Sequence, residues 1–192
     1  MRQANAKERI LETAALLFTK RGYALVGINE IIAESKTAKA TFYQHFPSKD
    51  DLCAAWLQRM HENSVKYHQG ILDADTPAMD RIVEYFLDLK KWMVQNDYRG
   101  CPYTTTSSML RSESPAIRQQ IESHKIFLRD FFIDLASQFT HGPEARVLGS
   151  TLFLLYSGAT AESQNVRSTW PVDTALESIK SICNTQPILN SI

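Results

Sequence analysis

The sequence predicts an all-α protein with a small N-terminal domain and a larger C-terminal one. Apolar residues recur three and four positions apart in segment after segment of the 192 residues, which is the spacing of one helix face. Glycine, proline and short polar stretches separate these segments, and no series of alternating apolar residues indicates a sheet. We place the boundary after residue 49, which gives domains of residues 1–49 and 50–192.

The first domain contains three predicted helices. Residues 6–21 form the first, and Gly22 ends it. Its apolar face consists of Ile10, Leu11, Ala14, Leu17 and Phe18. The second helix is short and has Ile28, Ile31 and Ile32 on its apolar side. A tight turn leads to the third helix, which Pro47 closes and which can bury Ala40, Phe42 and Phe46.

The second domain continues the helical pattern. Proline in the first turn and a capping hydroxyl before it predict several of its helix starts. The predicted segments are a helix from Ser48 towards Leu72, a helix from Pro77 that ends before a loop at 96–103, a short helix at 104–111, a long helix from Pro115, and helices at 144–163 and 173–184.

Charge is distributed unevenly along the chain, although the net charge is zero. Residues 1–49 carry eight Lys/Arg and four Asp/Glu, a net +4, so residues 50–192 carry a net −4. Such an asymmetry indicates that one part of a protein faces nucleic acid. The excess is modest, so strong binding to DNA is expected to need two copies of the chain.

Composition and motifs also limit the cellular compartment and the functional classes that we expect for this protein. No apolar run approaches the roughly 20 residues of a membrane span, and the first residues lack the apolar core of a signal peptide, so we expect a cytoplasmic protein. The three cysteines lie far apart, and no histidine has metal-ligand spacing. No HExxH, P-loop, GxSxG or GxGxxG motif occurs, so we expect neither an enzyme nor a metal or cofactor.

Residues 28–49 have the layout of a helix-turn-helix, in which the second helix enters the DNA major groove. That helix exposes residue types that hydrogen-bond phosphates and bases, namely Lys39, Thr41, Tyr43 and His45. Each has another interpretation. Lys39 could be an ordinary solvated lysine, Tyr43 could pack beside Phe42, and His45 could belong to the core. A helical enzyme and a protein-interaction module remain the rival functions.

The same segment resembles the TetR family of bacterial transcription regulators. Thr41-Phe-Tyr-Gln-His-Phe-Pro-Ser-Lys49 follows the signature of that family, and Arg9–Tyr23 resembles its first helix. Gly27, Lys36 and Ala38 stand where the family often has a capping Thr, a turn Gly and a capping Ser, and Lys36 must then adopt a conformation that glycine finds easier. The DNA-binding residues implied by position or exposure are Lys36, Thr37, Lys39, Ala40, Thr41, Tyr43, Gln44, His45 and Lys49.

The resemblance implies a homodimer whose C-terminal domain binds a small effector and carries the dimer contacts on its last two long helices. For the dimer interface we select Leu148, Leu152, Leu155, Ala159, Leu176 and Ile179. For an apolar or aromatic effector we select Trp92, Tyr103, Phe127 and Phe131, which ordinary core packing would also explain. The predicted function is a transcriptional repressor that an effector releases from a palindromic operator. The alternative is a repressor that senses oxidants or electrophiles through Cys101, although the sequence favours interpreting this cysteine as a small buried residue in a tight loop.

Overall fold

The computed structural model describes residues 5–110 and 114–185, and within them every regular element is a helix, which confirms the all-α prediction. The α-helices are α1 (Ala6–Arg21), α2 (Ile28–Glu34), α3 (Lys39–His45), α4 (Lys49–Leu72), α5 (Ala78–Gln95), α6 (Pro102–Met109), α7 (Pro115–Ala136), α8 (Gly142–Val166) and α9 (Trp170–Thr185), and a short 3-10 helix, η1 (Tyr23–Leu25), links α1 to α2. Among the described helices, none is long and apolar enough to cross a membrane.

Three of these helices begin earlier than the sequence predicts. The predicted helices at 104–111, 144–163 and 173–184 exclude Pro102, Pro143 and Pro171, but each proline lies in the first turn of its helix. The amide N–H groups of a first turn have no partner within the helix, so a proline there loses nothing. The predicted short helix at 104–111 therefore lies at Pro102–Met109, and residue 111 falls outside the described residues.

The first of two compact units comprises the residues up to Val65 and those of Pro102–His124. Its core joins α1, α2, α3 and the start of α4. The ring of Phe18 contacts those of Tyr23 and Trp56 edge-on, with centroids 5.7 and 5.4 Å apart. The Tyr103 hydroxyl donates to the Leu57 carbonyl at 2.8 Å, which attaches α6 to α4. These long-range contacts explain why the unit extends past the predicted boundary at residue 49.

The second unit comprises Lys66–Cys101 and the residues from Lys125 onward, and it has its own core. Buried side chains of α5, α7, α8 and α9 form this core, among them Phe86, Phe132, Leu152, Val172 and Ile179. Helices α7 and α8 cross closely at Gly149, where an added Cβ would lie 2.4 Å from the Cα of Ile133. Only glycine permits such an approach between two backbones.

Candidate nucleic-acid interface

The turn between α2 and α3 is built from residues 35–38. Lys36 adopts the left-handed conformation, with a φ of +52°, as expected for a residue in the place of a turn glycine. The Ser35 and Thr37 hydroxyls lie 2.9 Å apart, and the Thr37 amide donates to the Ile32 carbonyl at 3.2 Å. Ala38 therefore begins α3 without a side-chain cap. The turn projects Lys36 into solvent next to the start of α3.

Two phenylalanines determine which side of α3 faces outward. Phe42 is fully buried and Phe46 nearly so, and their rings lie 6.3 Å apart between centroids. The opposite side of the helix is exposed at Lys39, Ala40, Tyr43 and Gln44. Tyr43 keeps 42% of its surface exposed, although its ring also contacts the edge of Phe42. Thr37, Thr41 and His45 are half-buried at the margins of this surface.

Lysines 36 and 39 supply the charge of this surface. Both are exposed, and among the described residues neither forms an ion pair with a carboxylate. An unneutralised ammonium on a protruding helix can replace the counterions of a DNA phosphate, and the Tyr43 hydroxyl and Gln44 amide can hydrogen-bond bases. The arrangement has the donors that DNA contact requires, and the contacts themselves stay predictions.

Lys49 has a different environment from the other predicted DNA-binding residues. Its ammonium donates to the carbonyls of Tyr23 and Val26, both at 3.1 Å, and lies 4.2 Å from the centroid of the Tyr23 ring. The side chain is half-buried within the first unit. DNA contact by Lys49 was implied by its position and stays a prediction, and the ammonium already has these partners within the first unit.

Two of the four residues predicted to bind an effector, Phe127 and Phe131, contact the same side chain in the second unit. Phe127 and Phe131 meet around His68, with centroids 5.4 and 4.5 Å from the His68 ring. Trp92 is 39% exposed on α5. Tyr103 belongs to the first unit, where its ring stacks on His124 at 3.7 Å. Effector binding by these four residues stays a prediction.

The cluster around His68 contains polar groups that were not predicted. His68 is buried, and its Nε2 lies 2.9 Å from the Tyr85 hydroxyl, which also hydrogen-bonds to Tyr156. Burial raises the pKa of both tyrosines, so they remain neutral phenols. A histidine and two tyrosines on otherwise apolar helix faces were the signal in the sequence, but ordinary core packing gives the same pattern.

Cys101 ends the loop that follows α5. Its side chain is half-buried, and the ammonium of Lys125 lies 3.7 Å from its sulfur. The preceding Gly100 has a φ of +72°, and an added Cβ there would lie 2.2 Å from an oxygen of Gln164. The loop is therefore held against α8, with the thiol beside a cation. Within the described residues no three His, Cys, Asp or Glu side chains are grouped to hold a metal.

The residues predicted for the dimer interface are mostly in the core of their own chain. Leu148, Leu152, Ala159, Leu176 and Ile179 are at most 7% exposed and Leu155 is half-buried, although Leu148, Leu155 and Ala159 also line surface grooves. Helix α8 has apolar residues all round, and its other side exposes Val147 and Leu154, at 67% and 66%. With Trp170, 55% exposed, these border two shallow grooves of about 350 and 300 Å³ along α8 and α9.

Comparison with known proteins agrees with this geometry. Residues 10–56 match the family described as bacterial regulatory proteins, tetR family. The chain is 24% identical to the HTH-type transcriptional repressor NemR of Escherichia coli K12, over 96% of each chain. The structure of E. coli NemR in its reduced form superposes with a TM-score of 0.76, at 23% identity over 93% of this chain and 97% of that one. A TetR transcriptional regulator from Legionella pneumophila superposes with a TM-score of 0.80, at 20% identity over 95% and 99%.

Proposed function

Because the chain belongs to the TetR family of bacterial regulatory proteins and is a DNA-binding transcriptional regulator, we propose that it is a homodimeric repressor released from a palindromic operator by a small effector. The exposed side of α3, with Lys36, Lys39, Tyr43 and Gln44, is the observation that carries this proposal. The repressor NemR, similar over nearly the whole chain, supports the sign of regulation.

The proposed dimer face is the exposed side of α8 and α9. Val147, Leu154 and Trp170 leave large apolar surfaces in water in the single chain, which a second copy would cover. Gly158 lies in open space beside one of the grooves, which allows the partner's helix to come close. A two-fold interface would present two α3 helices to successive major grooves, about 34–36 Å apart on a palindromic site.

The proposed effector is an apolar or aromatic molecule with one hydrogen-bonding group. The aromatic rings around His68 suit such a molecule, and the hydroxyls of Tyr85 and Tyr156 could bind its polar group. It would release DNA only if it bound the state with low DNA affinity more tightly than the state with high affinity.

DNA binding can be tested with two substitutions on α3 and one control. Lys39→Ala and Tyr43→Ala should both weaken binding to a duplex that the wild type selects from a random library. Each lost phosphate contact lowers the salt dependence by about 0.9, so Lys39→Ala should reduce it by about 1.8 for a dimer. The exposed lysine of α9, Lys180, provides the control Lys180→Ala. Fluorescence anisotropy at several salt concentrations measures the slopes, and equal slopes for all variants would rule out this DNA-binding surface.

A second candidate input is chemical modification of Cys101. Its position beside Lys125, at 3.7 Å, favours it, as does the likeness to NemR, whose structure is known in a reduced form. An added group would not fit between a loop held at Gly100 and the Lys125 side chain without moving one of them. Reaction with a maleimide adds the sulfur to one alkene carbon and a proton to the other, so it needs no further reactant.

The test of this candidate is DNA release by N-ethylmaleimide. The wild type and Cys53→Ser should lose DNA after treatment, whereas Cys101→Ser should keep it. Cys53 is the matched control because it is fully buried. Release from Cys101→Ser at the rate of the wild type would leave effector binding as the remaining input.

A further inference from the structure

The environment of Lys49 points to a role other than DNA contact. We propose that Lys49 is a positioning residue that, together with Tyr23 and Asp50, clamps η1 to the first turn of α4 and so keeps the DNA-binding helices in place. The inference builds on the proposed function because it concerns the same DNA-binding surface.

The Lys49 ammonium bonds to the main chain of η1 and of the residue that follows it. Lys49 has three N–H groups. Two are directed at the carbonyls of Tyr23 and Val26, at 3.1 Å each, and the ring of Tyr23 lies 4.2 Å away on a further side. The Tyr23 carbonyl belongs to the first residue of η1, where it also accepts from the Val26 amide at 3.5 Å, and the Val26 carbonyl belongs to the residue that follows η1. The ammonium is therefore committed to the η1 backbone.

Asp50, the residue after Lys49, makes a second contact with η1. The Tyr23 hydroxyl donates to the carboxylate of Asp50. Burial raises the pKa of Tyr23, and the Asp50 carboxylate raises it further, so the hydroxyl keeps the proton that it donates. Lys49 and Asp50, adjacent at the start of α4, thus hold the main chain and the side chain of Tyr23 respectively.

The 3-10 helix η1 lies between α1 and α2 in the first unit. It connects α1 to α2, and α2 leads through the turn to α3. On the side of α6, Met109 rests against Gly22, whose added Cβ would lie 3.3 Å from the Met109 sulfur. Gly22 has a φ of +84°, so the chain can turn there only because this residue is glycine. A loosened η1 would therefore change how α2 and α3 are anchored.

Comparison with Lys39 distinguishes a residue that positions the DNA-binding helices from a residue that contacts phosphate. Lys39 is an exposed lysine of α3 with no carboxylate partner among the described residues, whereas Lys49 is half-buried and bonded. Both were predicted to be DNA-binding residues, and Lys39 to contact phosphate. A phosphate contact contributes to the salt dependence of DNA binding, and a positioning residue contributes to affinity without that signature.

The test uses Lys49→Met and Lys39→Met, which remove the charge and keep a long apolar side chain. Lys39→Met should lower the salt slope by about 1.8 for a dimer. Lys49→Met should lower affinity by at least about tenfold with an unchanged slope, since hydrogen bonds to a charged group are among the stronger ones. Tyr23→Phe removes the bond to Asp50 without removing a charge, and should weaken binding in the same way.

Hydrogen exchange of the protein without DNA supplies the second readout. Lys49→Met and Tyr23→Phe should speed exchange at the amides of residues 22–28, and Lys39→Met should not. A slope reduced in Lys49→Met as much as in Lys39→Met, with exchange unchanged, would overturn the proposal. Absence of salt-dependent DNA binding by the wild type would overturn the proposed function instead, and the exchange measurement would still decide on the clamp.

Discussion

Leu152 and Leu154 are two residues apart on α8, and the same substitution should have opposite effects at the two positions. Leu154 is 66% exposed in the single chain, and Leu152 is fully buried. Leu154→Glu should leave the fold intact, since surface substitutions usually change stability by about 0.5 kcal/mol or less. It should dissociate the dimer, because the carboxylate would replace an apolar contact at the proposed interface.

The expected loss of dimer stability in Leu154→Glu follows from the free energy of burying a leucine side chain. Covering one leucine side chain contributes about 1.5–3 kcal/mol. A two-fold interface contains two copies, so Leu154→Glu should cost about 3–6 kcal/mol, before any cost of burying the carboxylates. At 1.4 kcal/mol for each tenfold change, the dissociation constant of the dimer should rise by about 10²–10⁴.

Sedimentation velocity over a wide concentration range measures this change, and thermal unfolding followed by circular dichroism tests the fold. Leu16→Glu on α1 is the matched control, because Leu16 is 73% exposed but lies in the first unit. It should not change the sedimenting mass. Leu152→Glu should instead unfold the second unit, since it places a charge in the core. A monomeric wild type, or a dimer that Leu154→Glu leaves unchanged, would refute the assignment of this face.

Two further predictions concern stability and thiol chemistry. Gly149→Ala should destabilise the protein by about 2 kcal/mol, because the added Cβ would overlap the backbone of Ile133. Gly70→Ala, at a helix position with open space around it, should stabilise the protein by about 0.5–1 kcal/mol. Thermal melts measure both changes. Burial raises the pKa of the Cys53 thiol to about 12, with a smaller contribution from the Asp50 carboxylate. Iodoacetamide at pH 8 should therefore label Cys101 and leave Cys53 unmodified, which peptide mass mapping measures. The stabilisation from the neutral Cys53 thiol is fully present below pH 9.0, the ordinary value, and is lost as the pH rises through about 12.

The exposed side of α3 could be predicted because it depends on local structure. Helix α3 is two turns long, and burial of Phe42 and Phe46 determines which of its residues face outward. The left-handed conformation of Lys36 was implied by the resemblance, because the family often has a turn glycine at this place. Short segments with strong apolar anchors leave little freedom for the polar residues between them, so exposure at Lys39 and Tyr43 followed.

The environment of Lys49 could not be predicted because it depends on contacts between distant residues. Lys49 bonds to carbonyls 26 and 23 residues away, and no local pattern predicts that partner. On α8 the difficulty was different, because the helix is apolar on more than one side. Such a helix has one face for its own core and one for another surface. Periodicity identifies both faces but cannot decide which of them, Leu152 or Leu154, lies inside the chain.

The two surfaces of the proposed repressor are thermodynamically linked. One copy of α3 offers few cations, so a single half-site binds weakly. A second copy held by the α8–α9 face binds its half-site as an intramolecular event, which multiplies the affinity without a new type of contact. Linkage is reciprocal, so a palindromic duplex must strengthen the dimer by the same factor by which dimerisation strengthens DNA binding. A duplex with two half-sites should therefore partly restore the Leu154→Glu dimer, and a duplex with one half-site should not.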